Sequence, residues 1–301
     1  MREPDYQPLR GPVIDIYGSF TVAKQQIQSA LGLRHPHAIR FQGWPENVAD
    51  SVEKARALWP SCQFGMCPGV DNIIKRYKQN RRESSAISEL VGIARGTADL
   101  GIGTLVYDAE GEWKSSDPYE RKAFSDIVAN ALRQVRTMYP KMNLGLTSFG
   151  WPVRVFNTGG HTTFPWRAWL PGDLNYFGQT YDRGKGKLAR GEEIAVASFN
   201  EAIKQGYMAP ETIRFPEVQL HHNSAVEIVQ VAMTAPTIHL WAAGKDELCD
   251  EEGMKAIAAL TRLWDEGYWN KVAEFQAANG LDVDGDVGPK TLAALLSSRA
   301  S

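Results

Sequence analysis

The sequence predicts a (β/α)8 barrel. Three observations carry that prediction. Short apolar runs of strand length alternate with amphipathic helical stretches. The alternation passes through eight cycles in roughly 265 residues, the size of such a barrel. Polar and aromatic residues fall at the ends of the apolar runs, where that fold places its chemistry. A doubly wound open sheet is the competing architecture. It would normally carry a Gly-rich phosphate loop after its first strand, and Tyr17-Gly18-Ser19-Phe20 is not one.

In chain order, Val13–Phe20 reads as a strand carrying Asp15, and Val22–Leu33 has helical spacing and ends near Gly32. His37–Trp44 is a second strand. Asn47 is the expected cap of a helix that runs to Trp59 and stops at Pro60. Gln63–Cys67 is a third strand closed by Pro68-Gly69. Two helices follow, Asp71–Tyr77 and Ser84–Ala98, around the charged Arg81-Arg82-Glu83. Ile102–Glu110 is the fourth strand. Asp117-Pro118 opens a long helix to Met138, which Tyr139-Pro140 stops. Asn143–Phe149 is the fifth strand.

The irregular stretch Gly150–Gly172 holds Trp151, His161, Trp166 and Trp169, and its length and aromatics suggest a task. Asp173–Asp182 reads as the sixth strand, Gly184–Gly191 as a basic loop and Glu192–Gly206 as a helix. Ile213–His222 is the seventh strand, and Ser224 caps a helix to Ala235. Thr237–Ala243 is the eighth strand and Glu251–Trp264 the eighth helix. The barrel is expected over residues 1–267, with a short helical module over 268–301.

Composition narrows the function classes. The chain has 301 residues, 43% of them apolar, a net charge of −2 and 23% charged residues. That balance gives no sign of nucleic-acid binding, and no apolar run reaches bilayer length, so membrane insertion is not expected. The first residues show no apolar signal core, so the chain is expected to be cytoplasmic or to leave the cell by a route that needs no cleaved signal. Cys62, Cys67 and Cys249 have neither disulfide nor zinc spacing. The chemistry envisaged below needs no metal or cofactor, and a monomer is expected. Nine Trp and ten Tyr are a hint of carbohydrate, because aromatic rings stack on sugar faces.

The most informative stretch is Gly103–Trp113. Its apolar start runs into Asp108 and Glu110, two residues apart. On a strand such side chains share a face, with Cα atoms about 7 Å apart. Two carboxyls on one side of a strand end suit sugar hydrolysis, where one donates a proton and the other stays charged. Other strand ends add Asp15, then Gln179, Tyr181 and Asp182, then His221 and His222, then Trp241. The two histidines point to opposite faces of a strand, so at most one faces the centre. Trp44, Trp113, Trp151 and Tyr181 are candidates for stacking on sugar rings.

An Asp in strand one, an Asp-x-Glu ending strand four and an Asp ending strand six resemble the family 25 lysozymes. These are β/α-barrel N-acetylmuramidases that cut the glycan strand of peptidoglycan. The resemblance implies Glu110 as general acid. It implies Asp108 as the residue that supports the developing charge or positions the substrate N-acetyl group, with Asp15 and Asp182 lining the site. That family usually opens with a Gly-x-Asp-x-Ser pattern, whereas Asp15 is followed by Ile16 and Tyr17. The family 18 chitinases also end strand four in Asp-x-Glu, but with further acids at the positions of Gly103 and Val106, which are apolar here.

The tail carries a second resemblance. Val272-x-x-Phe275-Gln276, then Gly280-Leu281-x-Val283-Asp284-Gly285, then Val287-Gly288-x-x-Thr291 and Leu295 are similar to the second half of a peptidoglycan-binding domain. The usual preceding helix and first Asp-Gly turn are missing, so the module is expected to pack on the barrel and to borrow a helix from it. Together the resemblances imply an endolysin-like peptidoglycan hydrolase with peptidoglycan as its partner. The alternatives are a wall-binding barrel without activity and a glycosidase for another N-acetylated glycan such as chitin.

Overall fold

In this computed structural model the described residues are 4–149, 163–172, 174–179, 203–204, 206, 209–210, 212, 214–245 and 249–297. Eight parallel strands close into a barrel in sequence order: β1 Gly11–Ile16, β2 Ala38–Gln42, β3 Gln63–Cys67, β4 Thr104–Asp108, β5 Asn143–Phe149, β6 Asn175–Gln179, β7 Arg214–Gln219 and β8 Thr237–Ala243. The described helices are α1 Phe20–Leu31, α2 Pro45–Leu58, α3 Asp71–Asn80, α4 Glu83–Asp99, α5 Pro118–Met138, the single turn α6 Trp166–Trp169, α7 Ala225–Ala232 and α8 Glu251–Asp265. Two more, α9 Val272–Ala278 and α10 Pro289–Leu296, form the tail. The expected (β/α)8 architecture is the observed one.

Strand alternation sorts the side chains. Outward residues such as Ile14, Ile39, Met66, Leu105, Leu146, Val218 and Leu240 join the helices in one large apolar cluster. Inward residues fill the barrel. Gly65 and Gly145 lie among them for lack of room: a Cβ on Gly65 would sit 2.8 Å from Leu9, and one on Gly145 would sit 2.6 Å from the Phe177 ring.

Local chemistry sets the helix ends. Ser19 accepts the Val22 N–H at the start of α1, and Asp117 accepts the Tyr119 N–H at the start of α5. Ser224 and Glu227 form a capping box on α7. The expected cap Asn47 is displaced. Helix α2 begins at Pro45, whose fixed φ suits a first turn, and Asn47 lies inside that turn with its N–H on the Trp44 carbonyl. Strand β7 ends at Gln219, so His221 and His222 lie beyond it rather than on it. Trp166 and Trp169 are 3% and 0% exposed and pack on Tyr176, Tyr107 and Trp113. They are core, not a sugar surface. Residues 150–162, the expected loop 184–191 and, apart from residues 203, 204 and 206, the expected helix 192–206 lie outside the described residues.

The tail adds to the same apolar cluster. Phe275 is fully buried, and Val287, Leu292 and Leu295 are buried with it beside α8. The Arg262 guanidinium on α8 donates to the carbonyls of Ala294, Leu295 and Ser297, satisfying the end of α10. Gln276 organises the intervening turn. Its Nε2 donates to Asp284 Oδ1 at 2.7 Å and to the Asp286 carbonyl at 2.9 Å, and its Oε1 accepts the Gly285 N–H at 2.9 Å. Gly285 has φ of 81°, a conformation that favours glycine.

Because tail and barrel share one apolar cluster, Phe275→Ala is expected to destabilise the whole chain by about 3–5 kcal/mol. Urea unfolding followed by far-UV dichroism checks this. An early, separate tail transition would contradict the shared core.

Candidate active site

The centre of the barrel is charged. Arg40, inward on β2, is completely buried. Its Nε donates to Asp15 Oδ1 at 2.8 Å, and its Nη2 donates to the second Asp15 oxygen and, at 2.5 Å, to Glu217 Oε2 on β7. Thr147 Oγ1 on β5 donates to the same Glu217 oxygen at 3.1 Å. His239 on β8 lies with Nδ1 3.4 Å from Asp15. Burial and the neighbouring guanidinium hold His239 far below the usual imidazole range, so it is neutral. Burial also pushes Asp15 up to about 6, against the pull of Arg40.

This corrects the expectation for Asp15. Its carboxylate is 0% exposed and clamped by Arg40 in a two-oxygen fork. It cannot touch a substrate, and it belongs to the interior ion cluster.

Above that cluster lie the two acids of the fourth strand. Strand β4 ends at Asp108, two residues short of the expected end. The loop after β3 grips Asp108 by its backbone: Asp108 N–H donates to the Pro68 carbonyl, and Val70 N–H donates to the Asp108 carbonyl. Ala109 N–H still reaches the Thr147 carbonyl of β5. Glu110 then leaves the sheet, with φ −130° and ψ −126°, and heads the 3-10 turn Gly111–Trp113. Its N–H goes to Asp71 Oδ1 at 2.8 Å.

The Glu110 side chain is partly buried, and Gln179 at the end of β6 donates Nε2 to its Oε1 at 2.6 Å. Glu110 and Gln179 therefore meet across the C-terminal mouth of the barrel. Burial raises the proton affinity of Glu110, the Gln179 hydrogen bond lowers it, and the charges of Asp71 and Glu217 raise it, with a net upward shift. Asp108 is raised well above the usual carboxylate range by burial, then by Glu110 and Glu217, against Arg40. Its Oδ1 is buried without a hydrogen bond among the described residues. Burial and mutual repulsion thus favour the protonated form at both carboxyls, the direction that acid catalysis requires.

The remaining sequence-predicted residues divide three ways. Trp113 is 0% exposed, wedged edge-on between Phe124 and Trp169. It anchors the turn below Glu110 and presents no face to a sugar, which corrects its proposed stacking role. Trp44, Trp241 and His222 stay at the rim. Trp44 is partly exposed, donates to the Gly69 carbonyl and has the Arg76 guanidinium 6.0 Å from its ring. Trp241 is partly exposed beside Tyr17 at 6.0 Å and His221 at 6.1 Å. His222 is exposed, and its backbone N–H is held by Asp250. Trp151, Tyr181 and Asp182 lie outside the described residues.

Sequence reasoning missed Arg40, Glu217, His239 and Asp71. The first two did leave a signal. Each is a lone charge inside an apolar run, Ala38-Ile39-Arg40-Phe41 and Phe215-Pro216-Glu217-Val218, at the inward phase of its strand.

Comparison with known proteins adds to this picture. Residues 256–295 match the family described as "Putative peptidoglycan binding domain". The match begins inside α8, so it takes in the helix on which α9 and α10 pack. No curated protein sequence matches the chain. Among solved structures, an endo-beta-1,4-mannanase from Thermotoga petrophila superposes with a TM-score of 0.61 at 9% identity, over 87% of this chain and 78% of that one. An active-domain chitinase structure from Pyrococcus furiosus gives 0.56 at 11% identity, over 86% and 96%. A chitinase from Chromobacterium violaceum ATCC 12472 gives 0.53 at 9% identity, over 82% and 98%. At these identities the likeness is one of fold.

The raised acids carry a stability signature. A carboxyl whose folded pKa lies above its unfolded value favours folding most at low pH, and that contribution is lost as pH rises from the unfolded toward the folded pKa. Asp108→Asn removes such a group. Its stability relative to the wild type is expected to improve steadily as pH rises above about 4. Guanidinium unfolding from pH 4 to 8 checks this, and a variant that loses stability relative to the wild type as pH rises would contradict the upward shift.

Proposed function

We propose that the chain is a peptidoglycan hydrolase, an N-acetylmuramidase that cuts the glycan strand at the mouth of its barrel. One observation carries the reading: the chain that ends in a peptidoglycan-binding segment holds a carboxyl of raised proton affinity, Glu110, over the barrel mouth, with a second such carboxyl, Asp108, beneath it. The Asp-x-Glu at the end of β4 and the glycosidases among barrels of similar fold support a glycoside hydrolase. The binding segment favours a wall glycan over chitin. Val106 lies in an apolar layer with Cys67 and Phe177. The inner acid of the chitinase pattern therefore has no counterpart there.

In this mechanism Glu110 gives its proton to the leaving oxygen from Oε2, since Gln179 occupies Oε1. Asp108 faces the same space from one layer below. It supports the positive charge that develops at the anomeric carbon, directly or through the substrate's N-acetyl oxygen, until a water molecule adds to that carbon and gives a proton back to the Glu110 carboxylate. The two carboxyls titrate as a pair, so the reaction is fastest where the pair holds one proton, and a bell-shaped pH profile follows. Trp44 and Trp241 at the rim are the described aromatic surfaces for neighbouring sugars. Asp182, Trp151 and Tyr181 lie outside the described residues and keep the roles proposed from the sequence.

Digestion of purified peptidoglycan tests the reading. The wild type is expected to release fragments with new reducing ends at N-acetylmuramic acid, seen by mass spectrometry. Glu110→Gln is expected to lower the rate by about 100-fold or more while leaving wall sedimentation intact. Binding without fragments from the wild type would replace the enzyme by an inactive wall-binding barrel. Fragments ending in N-acetylglucosamine would keep the glycosidase and move the bond.

Gln179→Ala gives a finer check. The lost hydrogen bond had favoured the ionised form of Glu110, so the alkaline limb of the rate profile is expected to move to higher pH. A limb that moves down would place the donor elsewhere.

A further inference from the structure

The turn that carries Glu110 is not held by the sheet. Ala109 makes the last ladder-like bond, to Thr147, and beyond it the amides of Glu110 and Glu112 are both taken by one side chain. Asp71 Oδ1 accepts the Glu110 N–H at 2.8 Å, and Asp71 Oδ2 accepts the Glu112 N–H at 3.4 Å. Asp71 is the first residue of α3, directly after the loop whose Pro68 and Val70 grip the backbone of Asp108. On the outer side, Lys78 Nζ donates to the Glu112 carbonyl at 2.7 Å, and Trp113 is sealed into the core below. Lys75 adds an ion pair to the Glu112 carboxylate at 3.8 Å. Of these α3 side chains, Asp71 is the one hydrogen-bonded to the residue that bears the acid.

We propose that Asp71 is a positioning residue: its two oxygens splint the turn that carries Glu110 and set where that carboxyl meets the glycosidic oxygen. The inference rests on the reading of Glu110 as proton donor. Its chemical basis is preorganisation. A donor displaced by an ångström loses about 100-fold in rate even when its own chemistry is intact. A backbone amide satisfied by an aspartate is a charge-assisted bond, stronger than the neutral ladder bond it replaces.

The same carboxylate has an electrostatic effect. Glu110 is faced by Asp71 from α3, by Asp108 from β4, by Glu217 from β7 and by Lys114 from beyond the turn. Asp71 is itself faced by Glu112 and Lys75. The negative charge of Asp71 is among the groups that keep the proton on Glu110. Removing the charge while keeping the shape should shift the acid pair to lower pH.

Two variants separate the effects. Asp71→Ala removes both acceptors. It is expected to lower kcat on soluble glycan fragments by about 10- to 100-fold with KM little changed, and to speed hydrogen exchange at the Glu110 amide. Asp71→Asn keeps one acceptor for that amide and loses the charge. It is expected to retain most of kcat, with the rate profile displaced to lower pH. Carbon-13 titration of the Glu110 carboxyl, assigned through Glu110→Gln, should move the same way without any substrate present. If both variants melt earlier but keep the wild-type kcat, pH profile and Glu110 titration, Asp71 is merely structural and the proposal falls. If the wild type cleaves no wall at all, the functional reading falls instead. The amide exchange and carboxyl titration then still decide whether Asp71 holds Glu110.

Discussion

A guanidinium sealed inside the barrel is the constraint from which the rest follows. Arg40 has no water to solvate it, so it needs carboxylates, and it takes two, Asp15 from β1 and Glu217 from β7. Removing either partner from such a buried cluster would leave an unpaired charge and cost several kcal/mol, about 3–5 by analogy with other buried pairs. The cluster ties strands on different sides of the barrel to one another. It also leaves an excess of negative charge at mid-height, because two acids face one base. That excess is felt one layer up. Glu217 appears among the groups that raise both Asp108 and Glu110. The proton affinity of the candidate acids is therefore raised partly from below, by a cluster sealed from solvent.

The loops then convert this interior field into a directed site. Backbone bonds from Pro68 and Val70 fix Asp108, and Ala109 keeps its contact with β5. Past that point the chain needs another support, and the sheet cannot supply one because β4 has ended. Side chains take over: Asp71 on the amides, Trp113 as the buried anchor, and Gln179 on the carboxyl itself. A rigid scaffold with a short side-chain-held extension is the general way to aim a group into a cleft without losing its precision.

How much of this the sequence showed depends on the kind of constraint. The barrel was legible because strand and helix periodicities repeat eight times, and Asp108 and Glu110 were legible because two acids end an apolar strand. The tail was legible from its turn chemistry around Asp284-Gly285. What stayed hidden depends on contacts between distant strands. Nothing near Arg40 in sequence says that Asp15 and Glu217 will meet it, so Asp15 was read as a site residue instead of its counter-ion. Trp113 looked like a sugar platform because an aromatic next to acids suggests one. Its burial depends on α5 and α6 packing over it, through Phe124 and Trp169. Asp71 was read only as the start of a helix, because its partners are backbone amides, which leave no trace in side-chain pattern.

The tail bears on how a wall enzyme would work. A binding module on a loose linker raises local substrate concentration but leaves the catalytic mouth free to turn. Here α9 and α10 lie on α8, whose Arg262 satisfies the last carbonyls of α10, and Val287 N–H is taken by Gln230 of α7. Helix α8 in turn packs against β1 and α1, beside the strands that carry Asp15 and Trp241. The segment that resembles a wall-binding domain is thus fastened to the barrel through its own first helix. If it grips the wall, it does so at a fixed angle to the mouth. The gain over a tethered module then comes from orientation of the glycan strand and not from concentration alone. The cost is that only strands presented at that angle are cut.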